Sequence, residues 1–151
     1  MRNFKYIYFL FFIICFNQAK SSENNLVFHG AYAFESFVGQ KTGAVYVSIF
    51  NNTKSDYVIS SLSSEIASDV EIHEMSFKDD IMKMRRIDKL IIKAKEQQYF
   101  QPGGMHIMLM GLNKELKDGS HFFINFLIND DINQRVKVMV LNKKLRENFI
   151  E

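Results

Sequence analysis

The stretch "MHIMLMGLN", residues 105–113, alternates two kinds of side chain along an apolar segment. Side chains two positions apart share one face of an extended strand. His106, Met108 and Met110 would therefore share one face, while the odd-numbered positions between them are all apolar. The alternation predicts a β-strand that buries one face in a core and presents imidazole and sulfur on the other.

Nine segments of this strand-like kind lie between Leu26 and Leu141, and turn compositions such as "GQKTG", "NNTKSD" and "QPGG" separate them. They are "LVFHGAYAF", "GAVYVSIFNN", "YVISSLSS", "VEIHEMSF", "IMKMRRI", "LIIKAKEQQYF", "MHIMLMGL", "HFFINFLIN" and "QRVKVMVL". Short strands rich in Val, Ile, Phe and Tyr at this spacing predict an all-β sandwich or barrel. We expect a single domain over residues 26–141, followed at 142–151 by a charged tail that is either a solvated end or a short helix.

The first 19 residues have a different composition from the rest of the chain. Arg2 and Lys5 precede an unbroken apolar run from Tyr6 to Phe16. Because a membrane-spanning helix needs about 20 apolar residues, this short run predicts a secretory signal peptide over residues 1–19. Export to the periplasm follows from that prediction.

The end of this segment leaves one alternative open. Ala19 suits the last position of a signal peptide, but Asn17 is not the small residue preferred two positions earlier. An uncleaved anchor is therefore the alternative, and it would be the only contact with a membrane. Cys15 does not fit a lipidation site, because the bulky Ile14 stands where a small residue is expected.

Charge and cysteine content exclude several classes of function. Without residues 1–19 the chain carries 17 basic and 17 acidic residues, so its formal net charge is zero. No basic stripe remains that would favour nucleic-acid binding. Cys15 is the only cysteine, so the exported domain has no disulfide, no thiolate nucleophile and no cysteine metal site.

A second segment, "EIHEMSFKDDIMKMRR" at residues 71–86, repeats the combination of histidine and methionine. A β-hairpin centred between Lys78 and Asp79 would place His73 opposite Met84, and Met75 opposite Met82. All four side chains would then lie on one face of the hairpin.

Imidazoles combined with thioethers form a soft set of ligands, which favours Cu(I). Zinc sites use cysteine, histidine and carboxylates, and a blue-copper centre needs a thiolate. The competing interpretation is packing, because methionine fills cores readily. Six of the eight methionines lie between positions 75 and 110, however, and both segments contain histidine. This concentration favours a copper site.

The spacing of these residues resembles the signature of the PCu(A)C periplasmic copper chaperones. His73 and Met84 are separated by ten residues, Met84 and His106 by twenty-one, and Met108 completes a His-x-Met motif. "GGMHIMLMGLNKELKDG" and "GAVYVSIFNNT" are also similar to segments of that family, and the resemblance extends over residues 26–140. The first strand departs from the family, with "AYAFES" where relatives commonly carry a tryptophan and an arginine.

This resemblance implies a cupredoxin-like β-sandwich that binds one Cu(I) ion per chain through His73, Met84, His106 and Met108. It also implies delivery of copper to the Cu(A) centre in subunit II of cytochrome c oxidase, beside a Sco-type protein. Three further methionines would serve as hydrophobic cover or transient sulfur contacts: Met75, Met82 and Met110. We expect His29 and His121 to lie away from the metal, and residues 141–151 lack the His, Met or Cys needed for a second copper site.

Three other functions compete with delivery. A copper buffer or resistance protein would use the same ligands without a dedicated oxidase recipient. A copper enzyme needs open coordination positions and usually more imidazole or carboxylate ligands than these segments supply, so we do not expect an enzyme. A metal-free β-sandwich that makes only protein contacts would not bind Cu(I).

Overall fold

The structure is a computed structural model, and it describes residues 26–78 and 81–147. Ten strands follow one another along the chain: β1 Leu26–Phe34, β2 Thr42–Asn51, β3 Tyr57–Ser63, β4 Asp69–Lys78, β5 Ile81–Ile87, β6 Leu90–Ile92, β7 Gln97–Phe100, β8 His106–Met110, β9 His121–Ile128 and β10 Ile132–Leu141. A single helical turn, α1, spans Lys144–Glu147 in the predicted tail. The predicted all-β class is confirmed. The predictions for the signal peptide and Cys15 lie outside the described residues.

One predicted strand is wrong. The segment "LIIKAKEQQYF" is not continuous but divides into β6 and β7. Lys95 lies between them with φ of 64°, a left-handed conformation that ends an extended strand. β6 pairs with β3, whereas β7 pairs with β2. β6 is therefore an edge strand beside β3, whereas β7, a few residues later in the chain, lies beside β2.

The strands hydrogen-bond in the order β5-β4-β8-β2-β1-β10-β9-β3-β6, and β7 joins β2 beside this path. β1 and β10 are parallel, and the other neighbouring strands of the described sheet are antiparallel. β8 is consequently an internal strand between β4 and β2, whereas β5 forms one edge. The two histidine-containing segments of the sequence thus become neighbours in the sheet.

The sheet surrounds one continuous hydrophobic core. Ile107 and Leu109 of β8 contribute to it and are completely buried. Burying one such side chain contributes about 1.5–3 kcal/mol of transfer free energy. Because these odd-numbered residues face the core, the even-numbered residues of β8 face the outer surface of the sheet, as the alternation predicted. In the described part of the chain no helix is long and apolar enough to cross a membrane.

An aromatic cluster of Tyr32, Phe34 and Tyr46 covers the outer surface of β1 and β2. The Tyr32 and Tyr46 ring centroids are 5.2 Å apart, and Tyr32 and Phe34 are 5.5 Å apart. Burial, and then the neighbouring Tyr46, raises the pKa of the Tyr32 phenol above its usual value of 10.0. This neutral cluster flanks the part of the sheet that carries the histidines and methionines.

Candidate metal centre

The β4–β5 hairpin has a different register from the one predicted. Lys78 pairs with Ile81, so Met75 lies opposite Met84, Phe77 opposite Met82 and His73 opposite Arg86. The predicted pairs of His73 with Met84 and Met75 with Met82 are therefore wrong by two residues. A shift of two positions keeps every side chain on its predicted face, because the strand period is two. His73 and Met84 thus become diagonal neighbours on the outer face.

The imidazole of His73 contacts a partner through each of its nitrogens. Nδ1 lies 3.1 Å from Sδ of Met84, and Nε2 lies 2.8 Å from Oε2 of Glu71. A carboxylate only accepts hydrogen bonds, so Nε2–H donates to Glu71. In the neutral imidazole, Nδ1 is then left with a lone pair that faces the thioether sulfur.

His106 extends the same group across the neighbouring strand. It pairs with His73 in the β4–β8 register, and the two ring centroids are 5.8 Å apart at an interplanar angle of 74°. Its side chain is buried, with a relative exposure of 6% for the residue. Nδ1 of His106 lies 3.1 Å from the carbonyl oxygen of Gly104. Because that carbonyl accepts the Nδ1 proton, Nε2 is the nitrogen available to a metal.

A tight turn before β8 fixes the position of His106. Gly103 has φ of 78°, which a residue with a Cβ atom rarely adopts. Gly104 N–H donates to the Gln101 carbonyl at 3.1 Å, and Gln101 N–H donates to the Met105 carbonyl at 2.8 Å. The turn at Gly103 and Gly104 therefore positions the carbonyl that contacts the histidine ring.

Met108 lies two positions beyond His106 on the same outer face and is half-buried. Its backbone pairs with Glu71 of β4 and with Ala44 of β2. Residues at this separation along a strand are about 6.5 Å apart, within the reach of a flexible methionine side chain. The structure therefore places all four predicted ligands on one face of three adjacent strands, β5, β4 and β8.

The chemistry of these donors suits a soft cation. Within the described ranges, no group of three or more His, Cys, Asp or Glu side chains is arranged to hold a metal ion. The candidate donors at this site are two imidazoles and two thioethers. Imidazole nitrogen and thioether sulfur together favour Cu(I) over Zn²⁺, Mg²⁺ or Ca²⁺. The lone pair of His73 Nδ1 and the adjacent sulfur of Met84 are both electron donors.

Residues 26–140 match the family model described as "Putative lipoprotein LpqE-like". The chain belongs to the LpqE-like family. The family description concerns lipoproteins, whereas Ile14 argues against lipidation at Cys15; that prediction concerns residues outside the described ranges and stays a prediction.

A curated relative of this LpqE-like chain is the uncharacterized protein RP573 of Rickettsia prowazekii (strain Madrid E). It is 30% identical over 100 residues, which are 66% of this chain and 55% of the relative. The chain thus spans about half the length of that protein.

Two solved structures have the same fold as this LpqE-like chain. The copper-bound PCuAC domain from PmoF2 superposes with a TM-score of 0.66 at 14% identity, over 78% of this chain and 93% of that domain. The solution structure of CuI-DR1885 from Deinococcus radiodurans gives a TM-score of 0.60 at 24% identity, over 76% of each chain. The predicted cupredoxin-like fold is confirmed by this similarity to PCuAC domains.

The other methionines of β4, β5 and β8, and the two other histidines, lie at or outside the edges of the group. Met75 is half-buried and pairs with Met84, and Met82 is 62% exposed beside the end of the hairpin. Met110 follows Met108 on the outer face and is half-buried. His29 is exposed on β1, and His121 is exposed at the start of β9, where its ring contacts Phe123. Both histidines lie on strands other than β4, β5 and β8.

Sequence reasoning did not select Glu71 or Arg86. Oε1 of Glu71 accepts a hydrogen bond from Nη1 of Arg86, and Nε of Arg86 lies 3.0 Å from Oδ1 of Asp88. Glu71 precedes His73 by two positions, and this spacing places both side chains on one face of β4. This two-residue spacing is the sequence feature that could have identified Glu71. The contact with Arg86 could not be found in the same way, because it depends on the hairpin register.

A separate polar cleft of about 280 Å³ adjoins this group between β3 and β4. Its lining includes the serines of residues 60–64, together with Asp69, Glu71, Arg86 and Asp88. None of the described residues that line it is a histidine or a methionine. The cleft therefore includes Glu71 in its lining, and the imidazole and sulfur donors lie outside it.

Proposed function

We propose that this protein binds one Cu(I) ion outside the cytoplasm through His73, Met84, His106 and Met108. We further propose that it acts as a chaperone, which carries the ion as cargo to the Cu(A) centre in subunit II of cytochrome c oxidase. A Sco-type protein is a candidate second partner. In this proposal the protein holds and transfers copper and catalyses no reaction.

The observation that carries this proposal is the contact between His73 and Met84. A lone pair on Nδ1 and a thioether sulfur lie 3.1 Å apart, although neither atom supplies a hydrogen to the other in the neutral tautomer. His106 lies directly across the strand pair, and because its Nδ1 contacts the Gly104 carbonyl, Nε2 is the nitrogen available to a metal. Two imidazoles and two thioethers on one face supply a ligand set that Cu(I) prefers.

The exposure of Met84 supports transfer of the ion. Met84 is 54% exposed and belongs to the edge strand β5, whereas His106 is buried on the internal strand β8. A recipient protein can approach the sulfur of Met84 and replace it as a ligand without opening the core. A thioether is also uncharged, so its departure leaves no buried charge behind.

The relatives with this fold support copper as the ligand, because their structures are described as copper-bound and CuI-bound. A lipoprotein family description supports export from the cytoplasm. The pattern of Arg2, Lys5 and the apolar run from Tyr6 to Phe16 agrees with that localisation.

Competitive Cu(I) titration of the full chain tests the binding site. Substituting both Met84 and Met108 with alanine should lower the affinity by more than the roughly 10- to 100-fold typical for loss of an outer-shell contact. Met139→Ala is the matched control, since Met139 is a 38% exposed strand methionine on β10. An unchanged affinity in the double variant would refute the assignment.

A transfer experiment separates delivery from buffering. Copper-loaded protein is mixed with the copper-free soluble domain of oxidase subunit II, and formation of the Cu(A) absorption spectrum is followed. Gene deletion in the source organism should also lower the Cu(A) content of the oxidase. Copper sensitivity with a normal oxidase would instead support the buffer or resistance function.

A further inference from the structure

We propose that Glu71 is a positioning residue that determines which nitrogen His73 presents to Cu(I). This inference rests on the proposed copper site. It assigns Nδ1 of His73 and Nε2 of His106 as the metal-binding atoms, so the two histidines would bind the ion through different nitrogens. Arg86 holds Glu71 in the orientation that this role requires.

Each carboxylate oxygen of Glu71 accepts a hydrogen bond from a different residue. Oε2 accepts the Nε2–H of His73 at 2.8 Å, and Oε1 accepts a hydrogen bond from Arg86. The side chains of Glu71 and His73 are only 17% and 14% exposed, so water competes little for their contact. Hydrogen bonds between an imidazole and a carboxylate commonly fix the tautomer of metal-binding histidines.

Arg86 also contacts a second carboxylate, that of Asp88. Its Nε lies 3.0 Å from Oδ1 of Asp88, and its backbone pairs with that of His73. An arginine can only donate hydrogen bonds. The carboxylate of Glu71 therefore meets a donor at each oxygen, and a rotation of the carboxylate would exchange the oxygens without changing the role of either neighbour.

This arrangement predicts an unusual effect of replacing Glu71 with glutamine. The amide has one oxygen and one NH₂ group, and Arg86 can pair only with the oxygen. The NH₂ group would then face His73 and donate to Nε2. That contact favours the Nδ1–H tautomer of His73, in which Nδ1 no longer has a lone pair for copper.

The experiment measures histidine tautomers by ¹⁵N NMR in the metal-free full chain at pH 8, and Cu(I) affinity by competition. In the unsubstituted protein we expect His73 to carry its proton on Nε2 and His106 on Nδ1. Glu71→Gln should move the His73 proton to Nδ1 and weaken Cu(I) binding by about tenfold or more. Adding Arg86→Ala frees the amide to turn and should restore much of the Nε2–H form.

Glu74→Gln is the matched control within the same hairpin. Glu74 pairs with Arg85 at 2.9 Å on the opposite face of β4, so its substitution should change neither the tautomer of His73 nor the Cu(I) affinity. Glu71→Ala is a second test that does not depend on the amide, and it should leave His73 as a mixture of both tautomers.

Several results would overturn this inference. They are an Nδ1–H tautomer of His73 in the unsubstituted protein, an unchanged tautomer in Glu71→Gln, or a tautomer change without loss of Cu(I) affinity. The first two results are measured in metal-free protein, so they do not depend on the proposed function. Unchanged binding after loss of both Met84 and Met108 would refute the copper site while leaving the tautomer assignment intact.

Discussion

Strand β8 and the β4–β5 hairpin each contribute one histidine and one methionine to the candidate site, but they hold them differently. β8 is paired on both sides, and Ile107 and Leu109 anchor it in the core with no exposed surface. The hairpin ends in the edge strand β5, whose residues are almost all exposed. His106 is consequently buried, whereas Met84 is more than half exposed.

In the proposed function, this difference would let one set of ligands both retain and release the ion. The β8 side is fixed by core packing and by the turn at Gly103 and Gly104. On the hairpin side, β4 is also paired on both sides and buries Ile72 in the core, whereas the edge strand β5 is largely exposed. Among the ion pairs of the hairpin, that of Glu71 with His73 is the most buried. In the proposed function, copper would be retained by the more buried ligands on β8 and exchanged through the exposed sulfur of Met84 on β5.

The largest effect should come from removing the anchor of the β8 side. Leu109→Ala leaves a cavity in the core and should lower the free energy of unfolding by about 2–5 kcal/mol. Urea denaturation of the metal-free protein measures this change. Ile91→Ala is the control, because Ile91 is 58% exposed on β6 and its loss should cost about 0.5 kcal/mol or less. Equal losses for the two variants would contradict the anchored role of β8.

Replacing either histidine should abolish tight copper binding, but the two substitutions should differ in their effect on the stability of the protein. His106→Ala removes a buried ring and leaves the Gly104 carbonyl without its donor, so the protein should lose about 1–3 kcal/mol. His73→Ala should cost less, because Glu71 keeps its contact with Arg86. Both variants should lose tight Cu(I) binding. Denaturation and competitive titration of each variant measure the two effects separately.

The smallest effects on stability should come from Met84 and Met82, two exposed methionines on the hairpin. Met84→Ala and Met82→Ala should each change the unfolding free energy by about 0.5 kcal/mol or less, because both side chains are largely exposed. Only Met84→Ala should lower Cu(I) affinity, by about tenfold or more, which corresponds to about 1.4 kcal/mol. A similar loss in Met82→Ala would show that the nearby sulfur also binds the ion.

Much of this architecture could be predicted from local pattern. Alternation along β8 correctly assigned Ile107 and Leu109 to the core and His106 and Met108 to the outer face. The bounds of β1 and β5 match the predicted segments. The division of residues 90–100 was missed, because both halves are strand-like and only their pairing with different strands separates them.

The sequence by itself determined which faces of the strands carry imidazole and sulfur, because side chains alternate with a fixed period of two. It also supplied a spacing of histidines and methionines that resembles a copper-binding signature. Only the tertiary structure decided that β8 lies beside β4, that His73 contacts Met84 diagonally, and that Glu71 contacts both His73 and Arg86. Those contacts depend on strand order and register, which are set by packing between residues distant in the chain.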